Sequence, residues 1–185
     1  MGVKRYIKDY RNEYIIKPDG KPGVKAVYIG RYYKYKADDG ALRVTKLLFL
    51  VCTALSAICA VAPLCYNHTG AHIMYAVVPN VLALFPLAYL VTGVFNLFYC
   101  RVPLINEFKD KGAERIRRSS AGGLVLCALA SLAQLYCLIV EGFDMAGTVA
   151  LALLVVSTAS VSFIFFRRAD VAVVECDGPE EDDGL

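Results

Sequence analysis

Apolar positions dominate this chain in four long runs, at residues 44–64, 73–100, 121–140 and 145–166, set apart by polar breaks. The run 73–100 is the longest and holds no Asp, Glu, Lys or Arg. As a helix it would extend about 42 Å, at roughly 1.5 Å per residue, against a hydrocarbon core of roughly 30 Å. It must therefore tilt, kink or project. Pro79 and Pro86, each without a backbone donor, supply the kinks. The pattern predicts an all-α membrane protein: a bundle of four transmembrane helices with a short N-terminal β-hairpin and an interfacial amphipathic helix.

Within the runs, small and weakly polar residues recur on single helical faces. The first span places Thr53, Ser56, Ala57 and Ala60 together, and the second Tyr75, Pro79, Ala83, Pro86 and Gly93. The third aligns Gly123, Cys127, Ala130, Ser131 and Gln134, and the fourth Gly147, Ala150, Ser157 and Thr158. Such faces permit close helix contact. Asn80, Asn96 and Gln134 are the strongest polar groups in the spans. Interhelical hydrogen bonding is the preferred reading for them, and a substrate path between the second and third spans is the alternative.

The polar breaks differ in kind. Residues 65–72 and 141–144 are short turns, so the third and fourth spans are antiparallel neighbours. The break 101–120 is longer, and its Leu104, Ile105, Phe108 and Ile116 recur at near-helical spacing with Glu107, Lys111 and Arg115 on the polar side. An interfacial helix broken at Gly112 is expected there. Before the membrane domain (43–166), residues 1–42 are basic and aromatic. Stretches 13–17 and 24–36 read as strands around a Pro- and Gly-rich turn at 18–23, hence a hairpin. After it, residues 167–185 form an acidic tail expected to be disordered.

Charge adds an orientation. Of the 20 Lys and Arg, twelve lie in 1–46, six in 101–120, and two are Arg167 and Arg168. The short turns have none, so both termini and the long loop are expected in the cytoplasm, with the chain in a cell membrane. Segment 1–46 carries +7 (twelve bases less five acids), the loop +3 (six less three) and the tail from 167 onward −5 (two less seven). Lys25, Arg31, Lys34, Lys36, Arg115, Arg117 and Arg118 therefore offer a surface to anionic lipid headgroups or an acidic partner. The competing reading is a solvated arm whose bases only fix topology. No nucleic acid is expected, because lipid is the nearer polyanion. The N-terminal segment has no apolar h-region, so no cleavable signal peptide is expected and the first span directs insertion.

Composition narrows the chemistry. A chain of 185 residues, 57% hydrophobic, leaves too little outside the spans for a separate large enzymatic domain. The seven cysteines, Cys52, Cys59, Cys65, Cys100, Cys127, Cys137 and Cys176, form no CxxC and read as small hydrophobes rather than disulfides. Cys65, His68 and His72 have a C-x2-H-x3-H spacing that suits a metal. A polar turn is preferred, since three ligands without a second cluster do not complete a tetrahedral site. Apart from Lys46 at the rim of the first span, the spans hold no charge, so the relay of an ion-coupled transporter is missing. No cofactor and no enzymatic activity are expected.

Tyr28-x-Gly30-x-Tyr32-Tyr33-x-Tyr35 before the first span, Tyr75-x4-Asn80 and Pro86 in the second, and Arg115-x-Arg117-Arg118 before the third carry a family likeness. The chain resembles, over most of its length, small four-span membrane proteins of Gram-positive gut bacteria. The resemblance implies a bacterial cytoplasmic membrane and no activity, since that family has no assigned function. The expected role is a non-enzymatic accessory or scaffold subunit, acting through a membrane protein partner or a second copy of itself. The alternative is a small transporter or permease subunit with a path around Asn80, Pro86 and Gln134.

Overall fold

The computed structural model describes residues 7–16, 22–99 and 104–176. Four long helices form its body: α1 (Asp39–Val61), α2 (Met74–Tyr99), α3 (Asn106–Glu141) and α4 (Met145–Arg167). All four are long and apolar enough to cross a membrane. They pack in a closed ring, α1 on α2, α2 on α3, α3 on α4 and α4 on α1. Two 3-10 turns, Ala62–Cys65 and Thr69–His72, link α1 to α2. The α3–α4 link turns at Gly142, whose φ of +103° is one that L side chains rarely adopt.

The buried positions of these helices follow a heptad. On α2 they include Ala76, Asn80, Ala83, Leu87, Leu90, Val94 and Leu97. On α3 they include Ile116, Ser120, Gly123, Cys127, Ala130, Gln134 and Cys137, and on α4 Gly147, Ala150, Leu154, Ser157, Val161 and Ile164. Steps of three and four alternate, an average of 3.5, which is the seam of left-handed helix packing. Large apolar residues such as Ile58, Phe85, Leu132, Ile139 and Phe166 point outward. The seam instead collects small and polar residues toward the turn end of the ring, and Phe49, Leu90, Leu97, Ile116 and Ile164 toward the other. Ser157 Oγ lies 3.1 Å from both the hydroxyl and the carbonyl oxygen of Ser56, joining α4 to α1. Ser131 Oγ lies 3.0 Å from Thr158 Oγ1, joining α3 to α4.

At the end opposite the turns sit two small sheets. Strands β1 (Tyr10–Ile16) and β2 (Pro22–Tyr28) form an antiparallel hairpin in which Tyr10 faces Tyr28 and Tyr14 faces Val24. Strand β3 (Tyr32–Tyr35) is the centre of the second sheet, with β4 (Leu104–Ile105) on one side and β5 (Val173–Cys176) on the other, both antiparallel. Tyr35 and Leu104 are buried in the cluster that also holds Leu42, Leu97 and Ile116, so the sheet closes this end of the ring.

Three expectations change here. Residues 24–36 are not one strand but two, in different sheets. The cause is Tyr28, whose ring folds back over Gly30, where a Cβ would lie 2.5 Å from the hydroxyl. That hydroxyl donates to the Arg31 carbonyl (3.0 Å) and accepts from the Asn106 backbone N–H (3.1 Å). Burial pushes its pKa up. The amphipathic stretch of 101–120 is not a separate interfacial helix. From Asn106 it runs through a π turn at Asp110–Glu114, including the buried Gly112, straight into α3. Its Leu104 and Ile116 point into the protein, 1% and 0% exposed, rather than into an interface. The tail, expected to be disordered throughout, is ordered to Cys176 because β5 pairs with β3. Residues 177–185 of the tail, and 17–21, on which most of the turn expected at 18–23 falls, lie outside the described residues.

The seam predicts where added bulk is tolerated. A Cβ on Gly93 of α2 would lie 3.1 Å from Ile116 Cγ1 and 3.4 Å from its backbone nitrogen, whereas one on Gly122 would first meet Pro86 at 3.8 Å. Gly93→Leu is therefore expected to destabilise by about 1–3 kcal/mol through overpacking, and Gly122→Ala to be neutral. Thermal unfolding in a mild detergent checks both; equal midpoints for Gly93→Leu and the parent would refute the close α2–α3 approach.

Candidate functional site

At the turn end the ring opens into a cavity of about 130 Å³, room for about four waters at roughly 30 Å³ each. Asn80 of α2 and Gln134 of α3 line it, with His68 and Gly70 from the α1–α2 link and Leu154 from α4. The heptad seam turns both amides inward, and each is buried, 4% and 2% exposed. Gln134 Nε2 donates to the Gly147 carbonyl at 3.5 Å. Its Oε1 rests over Gly70, where any Cβ would collide with it. Asn80 Oδ1 is enclosed and has no hydrogen-bond partner among the described residues.

The structure thus gathers Asn80, Gln134 and His68, which the sequence singled out for different reasons. It does not gather the C-x2-H-x3-H set. Cys65 Sγ donates to the Val61 carbonyl at 3.5 Å, and His72 Nε2 lies 2.8 Å from Asn67 Oδ1. His68 Nδ1 lies 3.1 Å from the Tyr66 carbonyl. Among the described residues no three His, Cys, Asp or Glu side chains stand close enough to hold a metal. Tyr66, beside this turn, donates to the Ala146 carbonyl, and burial and the nearby Asp144 push its hydroxyl pKa up.

Asn96 lies at the opposite end, where its Nδ2 donates to the Lys111 carbonyl of the π turn at 3.4 Å. Pro86 is half-buried against α3, with its Cβ 3.8 Å from a Cβ built on Gly122 and 3.9 Å from one on Gly123. Below the cavity Leu87, Leu90, Val94 and Val161 form a packed layer, each 2% exposed or less. The three polar residues named for a path are therefore divided between the two ends.

The basic residues singled out for a lipid or partner surface also separate. Arg31 pairs with Glu175 of β5 at 3.0 Å, both exposed. Lys34 and Lys36 are exposed on β3 and just after it. Lys25 stands opposite Glu13 in the hairpin register. Arg115 donates to Thr92 Oγ1 at 3.2 Å and lies over the Tyr89 ring, while Arg117 and Arg118 flank Glu114. Sequence reasoning missed the anchor between hairpin and helices. Asn106 Nδ2 donates to Asp9 Oδ2 at 3.1 Å, and the Ile29 N–H to the Asp9 carbonyl at 2.8 Å, beside the Tyr28 bonds. No signal in the sequence links Asp9 and Asn106, which are 97 residues apart. Comparison of the chain with protein-family models, with curated proteins and with solved structures finds no match.

An enclosed acceptor without a partner costs about 1–3 kcal/mol. Asn80→Leu, similar in volume, is expected to raise the unfolding midpoint in detergent, and Gly70→Ala to lower it by displacing Gln134. If Asn80→Leu lowers it instead, Asn80 is bonded within the cavity and the amide is structural.

Proposed function

We propose that this chain is an integral protein of a cytoplasmic membrane that crosses it four times, with its sheet end inside. In this reading it is a non-enzymatic accessory subunit that acts through a protein partner at that end. Two observations support the membrane placement. Bulky apolar side chains face outward around helices whose seam is small and polar toward the turn end, the distribution that suits a lipid surround. The basic residues cluster toward the sheet end, while the turns 65–72 and 141–144 carry no Lys or Arg, which matches the positive-inside rule.

The accessory role is carried by one observation. The β1–β2 ribbon is held only at its base among the described contacts, by Asp9 and Tyr28 on Asn106, and the exposed cross-strand pair Tyr14 and Val24 lies beyond that anchor. A two-stranded ribbon is marginal by itself in water, and an exposed Tyr–Val pair on a fixed base suits a surface completed by another protein. One observation favours a second reading, a small permease subunit: the amide-lined cavity at the turn end. The packed layer below it requires the helices to part before anything could pass.

Two experiments decide between these readings. Single cysteines in a cysteine-free background are expected to react with an impermeant reagent in intact cells at position 143 and not at 111; labelling at 111 reverses the placement. The full-length protein is expected to co-purify with a stoichiometric partner from its native host, and Tyr14→Glu with Val24→Glu to abolish that without moving the unfolding midpoint. Purification alone, with solute flux in proteoliposomes that falls on Asn80→Leu, would establish the permease instead.

A further inference from the structure

At the sheet end a groove of about 470 Å³ opens between the π turn of α3 and the chain leaving α4. Its lining sets Lys109, Arg117 and Arg168 against Glu114, a charge of +2 (three bases less one acid). Glu114 is already shared, lying 3.7 Å from Arg117 and 3.5 Å from Arg118. Among the described residues Lys109 and Arg168 have no carboxylate within ion-pair distance. Each is held over an aromatic ring instead: Lys109 Nζ is 4.2 Å from the Tyr33 centroid and the Arg168 guanidinium 3.9 Å from that of Phe165. A ring face positions a cation but leaves its full charge for a further partner.

The rest of the lining is apolar, with Ala113, Val171 and Val173. Phe165 packs edge-on against the exposed Phe166, so the outward apolar surface of α4 reaches the residue that seats Arg168. Of the acids of the described tail, Asp170, next to the lining residues Ala169 and Val171, is paired with Arg167 at 2.6 Å. Val173 borders the groove, but β5 runs from there to Cys176 opposite Tyr32, and Glu175 is bonded to Arg31. Fixed positive charge beside an apolar wall, at the end of helices long enough to span a bilayer, matches the phosphate–glycerol junction of an anionic phospholipid.

We propose that this groove binds the headgroup of an anionic phospholipid from the leaflet at the sheet end, with Lys109, Arg117 and Arg168 around its phosphate. The proposal rests on the membrane placement above and gives that leaflet a specific contact. The test uses the full-length protein in a neutral detergent, with thermal unfolding followed by circular dichroism during titration with phosphatidylglycerol, phosphatidylcholine or sodium phosphate. The midpoint is expected to rise with phosphatidylglycerol alone. In Lys109→Gln/Arg168→Gln the lipid concentration needed is expected to increase about 25-fold, from roughly fivefold per cation multiplied over two. The charge-retaining pair Lys109→Arg/Arg168→Lys should respond as the parent does, and so should Arg11→Gln in the hairpin. If the double Gln variant does not fold, the single variants carry the same comparison. An equal response in parent and variants, or none to phosphatidylglycerol, overturns the proposal. A rise with sodium phosphate as large as with the lipid overturns the lipid source and leaves a soluble phosphate. The titration does not depend on topology, so labelling at position 111 from outside would fault the placement and not the groove.

Discussion

Close approach of helix backbones along a seam of small residues is the constraint on which the rest of this protein depends. Within their apolar runs the four helices are oily almost all the way round, so in the proposed membrane placement contrast between oily and polar faces cannot hold them together. Van der Waals contact and short hydrogen bonds must do so. Both need the space left by Gly93 against Ile116, by Gly123 against Val161 and by Gly147 against Leu138. The Ser56–Ser157 and Ser131–Thr158 contacts then tie α4 to two neighbours. Interhelical hydrogen bonds of this kind are worth about 0.6 kcal/mol each on average, so geometry matters more than any single bond.

The sheet end follows from the ring. Strands of two and four residues have little stability apart from their context, and β3, β4 and β5 come from before α1, between α2 and α3, and after α4. Antiparallel helices in a closed ring bring those three points to the same end. The strands pair there because their backbones are already adjacent, and the buried Tyr35, Leu104 and Val171 seal the helix ends beneath them. Tyr28 extends the same anchoring to the hairpin by satisfying groups from two segments with one hydroxyl.

The two ends offer different chemistry. The turn end has neutral amides around a small cavity above a packed layer, and no described charge lines it. The sheet end concentrates cations, some paired with acids and some seated on rings, next to a projecting ribbon. Contacts with lipid headgroups and with a protein partner both fall naturally there, and the proposed roles share that end for this reason.

Much of this was legible in the sequence, because the signals are local. Apolar runs of sufficient length determine four helices, Pro- and Gly-rich residues between β-prone stretches determine a hairpin, and the small-residue faces anticipated the buried Ser56, Ala83, Gly123, Gln134, Gly147 and Ser157. The tertiary structure decided the rest. When every face of a helix is apolar, a hydropathy pattern does not say which one turns inward, and Tyr75, placed on the small face of α2, is in fact exposed. The short strands β4 and β5 take their identity from a partner far away along the chain, as Tyr33 with Leu104 shows at a separation of 71 (104 less 33) and Tyr35 with Val173 at 138 (173 less 35). Local sequence cannot carry that pairing. The same holds for charge: whether Arg31, Lys109 or Arg168 meets an acid, a ring or an open groove depends on distant segments that only the closed ring brings together.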